Sequence, residues 1–389
     1  MKPNMRNALA LIPILALALV TGVSQAGPRA RDLGVPFDGQ PGPLNAITDV
    51  VGVTVGQVTL IEDLDGGKKV RTGVTAILPR GRDSLNLHAF AGWFALNGAG
   101  ELTGTTWVEE SGELEGPVLL TNTHSVGVVH DAAIAWRVRQ GDPDPTGYWW
   151  SNDVVGETWD GYLNDINGFH VRAADVDQAL EKATTGPVEE GSVGAGTGTI
   201  CYEFKCGIGT ASRRVAIDGR EHIVGVLVQA NHGLRDTLRI AGVPIGQQLR
   251  EHRVYSQDNE AASESGSIII VIATDAPLLP HQLKRLARRA ALGLARMGST
   301  SDNGSGDIFI AFSTANAAPL RGAPLSLAEF MSNSELDAVF RATVQATEEA
   351  IVNAMVAAKD MQGTEGHYAL ALPHADLAAL LEHYGRLIK

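Results

Sequence analysis

A serine that follows a glycine at the head of an apolar run becomes an N-terminal nucleophile if the bond before it is cut. Gly266–Ser267 is such a junction. The polar segment 255–265 (YSQDNEAASES) leads into it and the unbroken apolar run 268–273 (IIIVIA) leaves it. Cleavage there would place a hydroxyl and a free amine on one residue, the least that a self-activating amide hydrolase needs. Taken alone, Gly-Ser before a strand also reads as a plain turn. Two other places carry matching chemistry. Asn231 ends the apolar stretch 221–230 (EHIVGVLVQA), just before His232 and Gly233. A side-chain amide there is either a turn former or an oxyanion donor, and such a donor is worth about 3–4 kcal/mol in acyl transfer. Ser305 and Asp307 stand two apart at the mouth of the apolar run 307–312 (DIFIAF), on one side of a strand. They are either turn residues or a proton relay.

Other chemistries find less support. No G-x-S-x-G elbow and no H-E-x-x-H are present. His124 and His130 stand six apart on a strand-like stretch, and no His/Asp/Glu cluster has metal-ligand spacing. Asp142/Asp144 and Asp175/Asp177 read as loop and cap residues. The glycine-rich stretch 191–213 does not fit G-x-G-x-x-G and lacks a phosphate-loop lysine, so it reads as a strand pair with close backbone approach. The chain is acidic, with a formal net charge of −13 and no Lys/Arg run. That excludes the electrostatic footprint for nucleic acid or anionic lipid. No metal or organic cofactor is expected.

The elements that must position these residues follow from pattern. Lys2 and Arg6, an apolar stretch at 8–23 and the small residues up to Ala26 read as a secretory leader over 1–26. Its apolar part is shorter than the ~20 residues of a spanning helix. The mature chain is then 27–389, periplasmic or secreted, with no membrane contact once the leader is gone. Export permits a disulfide between Cys201 and Cys206 (CYEFKC), and the spacing leaves that pairing open. Segment 36–43 reads as an extended arm, 47–78 as strands and turns, 131–139 as a helix and 142–150 as a loop. Asp175 reads as the cap of a short helix. After Ser267, apolar residues recur at helical spacing from Leu279 to Met297. Ser332 and Glu335 read as a capping box for a long helix to about 358, and a last helix covers 375–386. The strands after Ser267 are apolar on both faces, so both must be covered. The expected fold is a single α/β domain, a four-layer α-β-β-α sandwich.

A family resemblance rests on several segments in order: 45–56 (NAITDVVGVTVG), 119–132 (LLTNTHSVGVVHDA), 157–171 (ETWDGYLNDINGFHV), 207–213 (GIGTASR), 226–233 (VLVQANHG), 265–278 (SGSIIIVIATDAPL) and 303–316 (NGSGDIFIAFSTAN). Together they resemble the self-processing β-peptidyl aminopeptidases, which include the L-aminopeptidase/D-amidase/D-esterase enzymes. The resemblance implies an α-β-β-α sandwich like that of N-terminal-nucleophile hydrolases with different connectivity. It implies Ser267 as cut site and nucleophile, after Gly266, Asn231 as oxyanion donor and Ser305 as a second active-site serine. Asp307 falls where the family carries Glu, one methylene longer, which calls its reach to Ser305 into question. Trp159 falls at an aromatic position of the substrate pocket, and Glu157 near a carboxylate for the substrate's free amine. The implied products are chains 27–266 and 267–389, assembled as a tetramer of two-chain units. Substrates would be small peptides, amides or esters with a free amine, bearing L-, D- or β-residues. An N-acyl or pantetheine-type amide hydrolase or acyltransferase on the same scaffold is the alternative, and a non-catalytic periplasmic binding protein a remote one.

Overall fold

A computed structural model describes residues 27–83, 87–140, 150–254, 266–316 and 327–388. The expected leader, the loop at 142–149 and the polar segment 255–265 lie outside the described residues.

Two sheets stack face to face. The first has the order β1 (Thr54–Asp63), β2 (Lys69–Arg82), β5 (Val118–Asn122), β6 (Val154–Thr158). The second runs β4 (Glu113–Leu114), β3 (Ala89–Gly98), β12 (Gly306–Ser313), β11 (Ser267–Thr274), β10 (Arg220–Asn231), β9 (Ile208–Ile217). Helices α2 (Val126–Gln140) and α3 (Ala173–Glu181) cover the first sheet, and α5 (Pro280–Arg296) and α6 (Leu336–Val356) cover the second. The architecture is the expected α-β-β-α sandwich. Smaller elements complete it: hairpins β7 (Ile200–Cys201)/β8 (Phe204–Lys205) and β13 (Met361–Gln362)/β14 (Tyr368–Ala369), and helices α1 (Thr105–Ser111), α4 (Ile245–Gln248) and α7 (His374–His383). Among the described residues, no helix is long and apolar enough to cross a membrane.

The apolar run after Ser267 is unbroken because β11 is central. It pairs antiparallel with β10 and parallel with β12. Successive side chains alternate between faces. Ile268, Ile270 and Ile272 enter the core beneath α5 and α6, while Ile269, Val271 and Ala273 enter the core between the sheets. Both faces are dry, and the polar residues of the strand stand at its two ends, Ser267 and Thr274. The first residue, Ser267, therefore shares the inter-sheet face with Ile269.

The N-terminal arm is tied down by charge and backbone. Arg214 N–H donates to Gln40 O at 2.8 Å, and Arg31 and Arg213 both reach the buried Glu349 of α6, at 2.7 and 2.6 Å. Several helix starts differ from expectation. The helix expected over 131–139 begins at Val126, so His130 lies on a helix and not on a strand. Asn122 Oδ1 accepts from His124 N–H at 3.1 Å and opens that helical turn early. Asp175 is not the cap of α3 but its third residue; its carboxylate accepts from Arg172 N–H at 2.8 Å. Ser332 makes no side-chain capping bond, and its hydroxyl pairs with that of Ser334 at 2.9 Å. Cys201 and Cys206 form a disulfide with Cα atoms 5.3 Å apart. A straight strand would point the two cysteines to opposite faces, but the β7–β8 hairpin reverses the chain between them.

Candidate active site

The ladder sets the site. Asn231, the last residue of β10, is the direct partner of Ser267, so both side chains stand on the inter-sheet face. On the other side Ser267 pairs with Gly306, whose N–H donates to Gly266 O at 3.0 Å. The carbonyl of the expected scissile bond is thus fixed and polarised by a main-chain donor. Gly266 is sterically required. A Cβ there would sit 2.4 Å from Asn231 O and 2.9 Å from His232 Cα, and both are backbone atoms. Gly306 is equally constrained, since its Cβ would meet Ala99 O at 2.5 Å.

The Asn231 amide is oriented. Its Oδ1 accepts from Ile200 N–H at 2.9 Å, which leaves the NH2 as the end able to donate. Two residues back on the same face, Gln229 Nε2 donates to Thr121 O and Thr158 Oγ1, each at 2.8 Å, and stitches the two sheets together behind the site. His232 is buried, and burial pushes its pKa down to about 3, so it is neutral and supplies no charge.

Ser305 and Asp307 meet, where the sequence leaves the reach of the shorter side chain in question. The Ser305 hydroxyl donates to Asp307 Oδ1 at 2.8 Å, and both residues are buried. The shorter Asp side chain therefore does reach. Burial raises the Asp307 pKa, against the pull of the Ser301 and Ser305 hydroxyls. In register, however, Asp307 pairs with Ile268 and so lies on the helix-facing side, out of phase with Ser267. The pair flanks Gly306, the residue that holds the Gly266 carbonyl.

Ser267 opens on a pocket of about 310 Å³ lined by Ala99, Thr123, Glu157, Trp159, Gly266 and Gly304. Glu157 and Trp159 come from the end of β6, on the facing sheet. Glu157 Oε1 accepts from Glu101 N–H at 3.0 Å, and Oε2 accepts from the Thr123 hydroxyl. Burial raises the Glu157 pKa, and those two donors pull it back. Trp159 is 37 % exposed at the rim. A buried carboxylate lining the same pocket as a buried serine hydroxyl suits a cationic ligand with an acyl group next to it.

The sequence reading missed Thr123 and Glu101, which hold the carboxylate, and Ile200, which aims Asn231. It also missed an assembled His/Glu cluster. His88 Nδ1 lies 2.9 Å from Glu113 Oε2 and 3.8 Å from Glu115 Oε1. Trp107 Nε1 already donates to Glu115 Oε1 at 2.8 Å, so the cluster reads as a hydrogen-bonded support.

Residues 45–369 match peptidase family S58. The chain belongs to that family. It is a hydrolase, with the fold of the N-terminal-nucleophile variants. It is 52 % identical to a β-peptidyl aminopeptidase of Sphingosinicella microcystinivorans, over 96 % of this chain and 97 % of that one. It is 46 % identical to the β-peptidyl aminopeptidase of Sphingosinicella xenopeptidilytica, over 97 % and 96 %. The structure superposes on the L-aminopeptidase D-Ala-esterase/amidase of Ochrobactrum anthropi, a serine aminopeptidase described as a variant of the Ntn hydrolase fold. The TM-score is 0.87 and the identity 51 %, covering 92 % of this chain and 99 % of that one.

Proposed function

We propose that this member of family S58 is an exported, self-processing N-terminal-serine aminopeptidase that releases N-terminal residues, β- and D-residues included, from small peptides, amides and esters. One observation carries the reading. Asn231 and Ser267 are ladder partners on one face, and Ser267 opens on a pocket that is also lined by the buried carboxylate of Glu157. The names of its relatives support the substrate class, and the 1–26 leader supports a periplasmic or secreted location. The resemblance further supports a tetramer of two-chain units.

In processing, Ser267 Oγ attacks the Gly266 carbonyl carbon, which Gly306 N–H holds. The C–N bond breaks, the amine of Ser267 takes the proton, and Gly266 is left as an ester on Oγ. Water hydrolyses the ester and leaves chains 27–266 and 267–389. An ordinary α-amine titrates at about pH 8, so the freed amine of Ser267 can serve as the general base. In turnover it takes the Oγ proton as Oγ attacks the substrate carbonyl, and returns it to the leaving amine. The Asn231 NH2 donates to the tetrahedral oxyanion. Water then frees the acyl group. Glu157 pairs with the substrate's ammonium and so selects exopeptidase cleavage. The Ser305–Asp307 pair, out of phase with the hydroxyl, steadies Gly306 and with it the scissile carbonyl.

The test is a panel of β-alanyl, D-alanyl and L-alanyl p-nitroanilides against their N-acetylated counterparts. Hydrolysis confined to the free amines is expected. Equal hydrolysis of the blocked amides would overturn the aminopeptidase reading in favour of an N-acyl amide hydrolase.

A further inference from the structure

The Lys205 side chain is fully buried, an uncommon place for a lysine unless it is fully partnered. Its ammonium donates to three main-chain carbonyls: Thr199 at 2.9 Å, Cys206 at 2.5 Å and Gly196 at 3.4 Å. An ammonium has three N–H donors, so all are used. Burial lowers the Lys205 pKa to about 7, and the nearby Asp160 carboxyl pulls the other way. The three acceptors are the main chain on either side of the β7–β8 hairpin. Cys206 N–H closes back on Thr199 O at 3.1 Å, and the Cys201–Cys206 disulfide ties the same two ends. At the centre of this knot lies Ile200, whose N–H holds Asn231 Oδ1 at 2.9 Å. The hairpin tip is docked on the segment just after Asn231. Arg235 donates to Tyr202 O at 2.8 Å and to Glu203 O at 2.7 Å. Among the described residues, Ile200 N–H is the one hydrogen-bond partner of the Asn231 side chain.

We propose that Lys205 and the Cys201–Cys206 disulfide form a positioning clamp that aims the Asn231 amide at the oxyanion through Ile200 N–H. This rests on the reading of Asn231 as the oxyanion donor. Neither Lys205 nor the cysteines touch substrate. Loosening them leaves binding at Glu157 intact and misdirects a donor that acts only in the transition state, which lowers kcat without moving KM.

The experiment measures kcat and KM of the processed enzyme on one free-amine p-nitroanilide. It compares wild type, Lys205→Met, the double variant Cys201→Ala/Cys206→Ala, and each of these in the Asn231→Ala background. The clamp predicts a kcat loss of about 10- to 100-fold with KM unchanged, the size expected of a misplacement near 1 Å. It also predicts no further loss once Asn231 is alanine, because the three act through one group. Unchanged kcat in either folded variant, a rise in KM, or a loss that persists in the Asn231→Ala background would overturn it. Should Lys205→Met fail to fold, the cysteine pair supplies the same split. If Asn231→Ala itself keeps wild-type kcat, the oxyanion reading falls first, and that outcome is seen separately from the clamp.

Discussion

The wall of the pocket that carries Ser267 is held by the register of paired strands, whereas the wall that carries Glu157 hangs on two hydrogen bonds to one carboxylate. On the first wall, register does the work. Asn231, Ser267 and Gly306 lie side by side because β10, β11 and β12 pair residue for residue, and a strand cannot slip without exposing its isoleucines. On the second, a buried carboxylate depends on the Thr123 hydroxyl and one backbone N–H from the loop after β3. The first wall takes its geometry from backbone pairing, not from the charge of a side chain. The second carries a group whose charge is costly to keep. Changes to the first should therefore strike kcat and processing, and changes to the second KM, stability and pH dependence.

The largest effect belongs to the first wall. Asn231→Ala should lower kcat by about 10²–10³-fold with little change in KM, the loss typical of one oxyanion donor, as read by steady-state kinetics. Next comes Gly266→Ala. A Cβ 2.4 Å from Asn231 O forces the backbone to shift, so self-cleavage should slow by about tenfold or more, a barrier increase of roughly 1.4 kcal/mol. A time course on denaturing gels reads this directly, and unchanged processing would deny that the ladder holds the scissile bond.

The second wall should break differently. Glu157→Gln should raise KM for free-amine substrates by about tenfold or more, since a hydrogen bond to a charged group contributes about 1.5–3 kcal/mol. The same change should stabilise the protein. Burial raises the Glu157 pKa in the folded state, so the folded form holds its proton more tightly than the unfolded form does. Stability from that group is present below the unfolded pKa and is lost as pH rises through the folded one. At neutral pH, Glu157→Gln should thus melt higher than wild type, and a lower melting temperature would contradict the assignment. The smallest effect is that of Thr123→Val. It removes a donor that lowers the Glu157 pKa, so the acid limb of kcat/KM should move to higher pH.

The same contrast explains what could be read from the sequence. Ser267, Asn231 and the strands that carry them were legible because burial on both faces leaves an unmistakable apolar run, and a polar residue at its mouth stands out. The long helix α5 was legible from its 3.6-residue period. Thr123 was not, because a threonine 34 residues from its carboxylate partner has no local signature. Lys205 was hidden for another reason. A lysine in a short hairpin reads as solvated, and only the folded chain shows three carbonyls converging on its Nζ. The Ser305–Asp307 bond was legible from its spacing. Its face was not, because Ser305 precedes the strand and only the register of β12 on β11 settles the phase.

The central claim is that Ser267 is both the cut site and the nucleophile. Intact mass and N-terminal sequencing of the purified protein test it most directly, beside a Ser267→Ala variant. The account predicts two chains from the wild type, the smaller beginning at Ser267, and a single inactive chain from the variant. A wild-type chain that remains uncut yet fully active would contradict it.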